Sequence, residues 1–161
     1  MRLTVAVAAL VLVPSVASAE NATQARKRTV WGVLGKPAKI ADLEVTVRSI
    51  AVGPKVTTEA DSIATLLVVA ELTNRTKETV NPLNWVVECL NLSEPGRITS
   101  DTTFPTSDSV DPKSIFKGLV VIVLPKGCKE PLLLAEPLVR YNSEVSGLRY
   151  KLPKTVLSKL K

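Results

Sequence analysis

The chain contains no histidine. The commonest general base and metal ligand at neutral pH is therefore missing, which leaves serine, lysine and carboxylates for any catalysis. Aromatic side chains make up only 4% of the sequence. With so few of them, and no basic run interleaved with them, nucleic-acid binding is not expected. Cysteine is limited to Cys89 and Cys128. The apolar runs fall short of the roughly 20 residues that span a bilayer, and no long helical period is present.

The N-terminus carries a different signal. Arg2 supplies a positive start, Val5 to Val13 is an unbroken apolar run, Pro14 breaks it, and Ala17-Ser18-Ala19 places small residues before a cleavage point. Residues 1–19 read as a cleavable signal peptide, with the cut between Ala19 and Glu20. No cysteine follows the cut, so a lipid attachment point and a stable membrane anchor are not expected. The mature protein is expected to be exported, either periplasmic or secreted. In that setting two cysteines favour a Cys89–Cys128 disulfide. A redox pair would sit closer, as in Cys-x-x-Cys. Closing a loop of about 40 residues is worth roughly 3–4 kcal/mol in the chain-entropy model.

The formal net charge of +6 is raised by clusters at the ends, Arg26-Lys27-Arg28 and Lys151, Lys154, Lys159 and Lys161. Charge spread over the ends of a chain acts mainly on solubility.

Residues 20–34 read as a flexible polar lead-in that finishes in a docking apolar segment, Val30 to Leu34. Residues 35–161 read as one domain, a size that supports a single core. Leu43, Val45 and Val47 alternate with polar residues, and the phase then shifts to Ile50 and Val52, which predicts a bulge near Arg48-Ser49. Lys55 to Ser62 reads as a polar loop. Two apolar runs, Ile63 to Asn74 and Ser114 to Pro125, read as central strands lying near one another. Asn74 to Lys77 reads as a hairpin-like turn. In Pro131 to Tyr141 the Pro137 ring argues against a long regular element. Val145 to Leu152 reads as the last strand, and Val156, Leu157 and Leu160 as a helical turn behind Pro153. Short strands between Pro/Gly turns predict an all-β fold, an antiparallel β-sandwich of about seven strands with a short C-terminal helical turn.

Gly35-Lys36-Pro37 before Leu43-Glu44-Val45-Thr46-Val47, Leu66 to Asn74, and Lys117-Gly118 followed by Val120, Ile122, Leu124 and Pro125 together resemble a known group. They are similar to the exported immunoglobulin-like sandwich domains of unknown function found in bacterial secreted and lipid-anchored proteins, including the mycobacterial secreted-antigen type. The resemblance covers roughly residues 35–153. It implies an immunoglobulin-like sandwich with an extracytoplasmic role, and no catalytic residues. The cysteine pair, the lack of a lipid-attachment cysteine and Pro131 to Tyr141 depart from the group. In a bacterial chain the sequons at Asn21, Asn74 and Asn91 arise by chance.

Two sets of residues could carry chemistry. Ser114 and Lys117 fit Ser-x-x-Lys, with Ser107-Asp108-Ser109 and Lys154-Thr155 near the companion motifs of penicillin-binding enzymes. The order is wrong, and on a strand residues three apart face opposite sides. Asp101, Asp108 and Asp111 offer oxygen ligands but match no calcium-loop spacing. No cofactor and no enzymatic activity are expected.

The outward side of the two central strands is the candidate interaction surface: Leu67, Val69, Leu119, Val121 and Val123. A two-sheet sandwich needs one apolar face per sheet, so this second row requires cover. Either Val30-Trp31-Val33-Leu34 or the tail with Val156, Leu157 and Leu160 lies over it, or a protein partner or second copy does. The functional expectation is a non-enzymatic exported protein acting by protein–protein binding. The alternatives are an envelope accessory, structural or stress-related, without a specific ligand, and a hydrolase using Ser or carboxylates.

Overall fold

The computed structural model describes residues 28–40, 42–57, 62–105, 109–137 and 145–160. The expected signal peptide, its expected cleavage point at Ala19 and Glu20, and the start of the lead-in lie outside them, as do Asn21, Ser107 and Asp108. The described residues form eleven strands and one helix. In chain order these are β1 (Arg28–Trp31), β2 (Ala38–Ile40), β3 (Leu43–Val52), β4 (Val56–Thr57), β5 (Ser62–Ile63), β6 (Thr65–Asn74), β7 (Leu83–Cys89), β8 (Arg97–Ile98), β9 (Ile115–Val123), β10 (Pro131–Pro137), β11 (Val145–Lys151) and α1 (Lys154–Lys159).

Alternation builds the five-stranded sheet, ordered β2-β3-β6-β9-β8. The two apolar runs pair antiparallel along their length, from Thr65 opposite Val123 to Thr73 opposite Ile115. Strand β3 pairs with β6, and its register shifts between Val47 and Ser49, where the sequence changes phase. The four-stranded sheet is ordered β1-β11-β10-β7. Val45, Val68, Leu72 and Ile122 from one sheet meet Trp85, Val87, Leu133 and Tyr150 from the other in one fully buried core. Each such aliphatic side chain contributes about 1.5–3 kcal/mol by leaving water.

Several expectations are corrected. Strand β10 is regular and central, flanked by β7 and β11. Its prolines stand at the first and last positions, so Leu132 to Glu136 keep every N–H the ladder needs. The loop expected over Lys55 to Ser62 contains a small hairpin of β4 with β5. The turn expected at Asn74 to Lys77 is a crossing from one sheet to the other. Buried Asn74 holds that crossing: its Nδ2 donates to the carbonyl oxygens of Glu78, Val110 and Asp111 at 2.8, 3.1 and 3.0 Å, and its Oδ1 accepts from Thr76 N and Oγ1 at 3.0 and 2.7 Å.

Neither proposed cover lies over the central strands. Strand β1 joins the opposite sheet, parallel to β11, while all other paired strands are antiparallel. In α1, Val156 enters the core and Leu157 and Leu160 pack against it. The sandwich therefore includes β1, ahead of residue 35.

Candidate functional site

The register brings the five residues of the candidate surface onto one face, with Leu67 opposite Val121, Val69 opposite Leu119, and Val123 at the end of the row. Backbone, in place of a terminus, shields them. A Cβ on Gly53 would stand 2.9 Å from Leu67 Cγ, so the chain leaving β3 rests directly on that leucine. Thr65 Oγ1 donates to Pro54 O at 2.7 Å and pins the cover. On the other flank, Thr102 Oγ1 accepts from Val121 N at 2.9 Å and Thr103 Oγ1 from Leu119 N at 3.0 Å. Val121 is 7% exposed and Val69 40%, while Leu67, Leu119 and Val123 are half-buried. Farther along this face Glu71 binds Arg48 at 3.1 Å and Lys117 at 3.4 Å. The hydrogen bond from Arg48 is the main cause holding its carboxyl below the usual range.

The outer face of the four-stranded sheet escaped the sequence reading. Here β10 places Leu132 and Leu134, both buried yet outside the main core. Three of their four cross-strand neighbours are charged: Leu134 lies opposite Arg149 and Val86, and Leu132 opposite both Glu88 and Lys151. Arg149 reaches Glu88 at 3.9 Å, a long ion pair that crosses above β10. The aliphatic stems of these side chains provide the cover. Beside them Trp31 is 53% exposed, with the Lys151 ammonium 5.1 Å from its ring centroid.

Buried polar atoms divide the sheets further. Trp85 Nε1, Arg149 Nε and Tyr150 Oη have no hydrogen-bond partner among the described residues, and all three belong to the four-stranded sheet. Burial pushes the Tyr150 hydroxyl up to about 12. The Tyr150 ring lies where a Cβ on residue 32 would stand, so Gly32 is the seat that lets β1 approach.

Cys89 and Cys128 are bonded, linking β7 to the connection between β9 and β10. Asn91 braces the same connection, donating to Gly127 O at 2.8 Å and accepting from Lys129 N at 2.9 Å. The Ser114 hydroxyl donates to Asp111 O at 2.6 Å, and Lys117 is committed to Glu71, so these two do not form a nucleophile–base pair. Asp101 and Asp111 join no cluster of metal-ligating groups among the described residues. A shallow groove of about 200 Å³ runs past Lys39, Asp42, Glu44 and Arg75, where Arg75 holds Glu44 at 3.1 Å.

No known protein family and no curated protein matches this chain. Solved structures do. An uncharacterized β-sandwich protein from Clostridium difficile 630 aligns over 79% of this chain and 96% of its own, with a TM-score of 0.53 and 15% identity. The yjhA protein of Bacillus subtilis gives 74%, 98%, 0.54 and 14% in the same order. The candidate lipoprotein ycdA of Bacillus subtilis aligns over 76% of this chain at a TM-score of 0.54 and 12% identity, and the match spans 40% of that longer chain. The likeness is one of fold. It makes this chain a β-sandwich of the kind seen in bacterial proteins of unknown function.

Proposed function

We propose that this is an exported immunoglobulin-like domain that works without catalysis, by binding a protein partner through the outer side of the four-stranded sheet. The observation that carries the reading is Trp31, more than half exposed beside Lys151 and the loosely paired Arg149. Exposed aromatic groups with neighbouring cations are the commonest anchors of protein contacts. The face first expected to serve is largely shielded by the chain itself around Leu119 and Val121, which leaves Val69 and, at the start of β9, Ile115 as its open aliphatic groups.

Export is supported by the N-terminal leader pattern and by the disulfide. Among the described residues no helix is long and apolar enough to cross a membrane. The immunoglobulin-like type is supported by the strand order, β3-β6-β9-β8 in one sheet and β7-β10-β11 in the other. This follows the A-B-E-D and C-F-G order of such domains, with a buried Trp85 on the strand in the C place.

The test is capture from envelope extract by the mature protein, alongside its mass in solution. Capture is expected to fall at least about tenfold in Trp31→Ala, the loss of about 1.4 kcal/mol or more at an anchoring contact, and to survive in Val69→Glu. Capture insensitive to Trp31 and abolished by Val69→Glu would return the site to the five-stranded sheet and overturn the reading.

A further inference from the structure

Among the described residues strand β1 is an edge of the four-stranded sheet, and one side of it has no strand paired to it. The Gly32 N–H donates to Arg149 O at 2.8 Å. In a parallel ladder alternate residues face the neighbour, so with Trp31 opposite Arg149 the backbone N–H and C=O groups of Thr29 and Trp31 point away from β11. Among the described residues nothing pairs with that side. The other edges offer less: Gly96 N–H already bonds Val87 O on β7, and β8 and β2 span two and three residues. An open edge bearing an exposed aromatic group invites a further strand.

Charge narrows the occupant. Arg149 and Lys151 stand on the neighbouring strand β11. Two carboxylates share this face: Glu88, which is held by Arg149, and Glu136 on β10, which lies beside Gly147. A second copy would bring the same positive edge, placing like charges opposite one another. An acidic strand meets the opposite sign at each of these positions.

We infer that the free edge of β1 docks an extended acidic segment of a partner protein, which adds to the four-stranded sheet as a fifth strand beside Trp31. This rests on the binding reading above and names its mode and its partner's chemistry. Main-chain hydrogen bonds to Thr29 and Trp31 provide affinity, Trp31 packs against alternate side chains of the segment, and the cations select its sign.

The probe is a synthetic octapeptide alternating Glu and Val, titrated into the mature protein while Trp31 emission is followed; Trp85 is buried and gives a fixed background. Two further peptides carry N-methyl groups on all Val or on all Glu amides. Each lost backbone hydrogen bond weakens binding about fivefold, so one methylated set is expected to lose more than about tenfold and the other to bind nearly as the parent does. A Lys/Val peptide is expected not to bind. In the protein, Thr29→Pro removes one outward N–H without touching the β11 ladder, and is expected to weaken the parent peptide likewise.

Equal binding of both methylated sets, absence of parent binding, or preference for phosphatidylglycerol vesicles over the peptide would each overturn strand addition. The two levels separate cleanly. If the methylated sets bind alike while Trp31→Ala still abolishes envelope capture, the mode is wrong and the contact face stands. If capture ignores Trp31, the face itself is wrong.

Discussion

The outer faces of the two sheets both place aliphatic side chains where water would otherwise lie, and they shield them by different means. On the five-stranded sheet the cover is mainly main chain: Gly53 rests on Leu67, and the Thr99 and Thr103 N–H groups bind β9, with the Thr102 and Thr103 hydroxyls beside them. Two of its buried polar residues, Thr65 and Asn74, have partners. On the four-stranded sheet the cover is side chain, the stems of Arg149, Lys151 and Glu88 over Leu132 and Leu134. Backbone cover is part of the fold and opens only if the fold does. Side-chain cover can move by rotamer change within nanoseconds. A sandwich with one face of each kind has a closed side and an adjustable side; of the unpartnered polar atoms, Arg149 Nε belongs to the adjustable side, while Trp85 and Tyr150 lie in the core.

The contrast can be broken in several ways. Leu134→Ala should have the largest effect, a loss of about 2–4 kcal/mol in chemical denaturation, because a buried leucine leaves a cavity even outside the main core. A loss below about 1 kcal/mol would mean that the side-chain cover yields almost completely. Gly53→Ala should destabilise by about 1–3 kcal/mol, since the added methyl meets Thr65 Oγ1 and Leu67 and the backbone cover must lift. A neutral result would show that this cover is as mobile as the other.

Tyr150→Phe should act mainly in alkali. The folded hydroxyl titrates at about 12 against an ordinary 10.0, so the protonated form favours folding. Wild-type stability is therefore complete below pH 10 and declines as pH rises from 10 toward 12, whereas the Phe variant should hold constant over that window in urea melts. At neutral pH the variant should be neutral or slightly stabilising, as the hydroxyl has no partner to lose.

Arg149 separates stem from charge. Arg149→Ala should cost about 1 kcal/mol by uncovering Leu134, and Arg149→Met should stay within about 0.5 kcal/mol because the stem remains. Equal losses would assign the effect to the ion pair with Glu88. The smallest effect belongs to Glu71. Its carboxyl is held below the ordinary glutamate value of 4.5, so its contribution is present above that value and lost as pH falls through the lower, folded one. Glu71→Gln should remove this acid-side slope while changing neutral stability by a few tenths of a kcal/mol, as expected for a solvent-screened pair.

Much of the five-stranded sheet was legible in the residues. The phase change after Val47 marked the bulge, and two β-branched runs identified the neighbours β6 and β9. An even cysteine count behind a leader-like N-terminus pointed to the Cys89–Cys128 bond. The four-stranded sheet was less legible for local reasons. Pro137 was read as a breaker, although proline at a strand terminus removes no ladder bond. Strand β1 has four residues and depends on the fit of Gly32 against Tyr150, a long-range contact with no local pattern. The candidate surface was correctly gathered onto one face and incorrectly assigned its cover, because alternation reports facing and says nothing about a loop folding back. Trp31 was noticed only as an apolar residue to be tucked away.

The position of the disulfide has a consequence for survival among proteases. Cys89 and Cys128 are 39 residues apart in sequence, and the segment between them holds β8, β9 and the long polar connection around residues 99–114. A single cut anywhere in that connection leaves both fragments covalently joined, with β9 still paired to β6 and the bond anchoring its far end to β7. A nicked molecule would keep its mass on a non-reducing gel and release two pieces only when reduced.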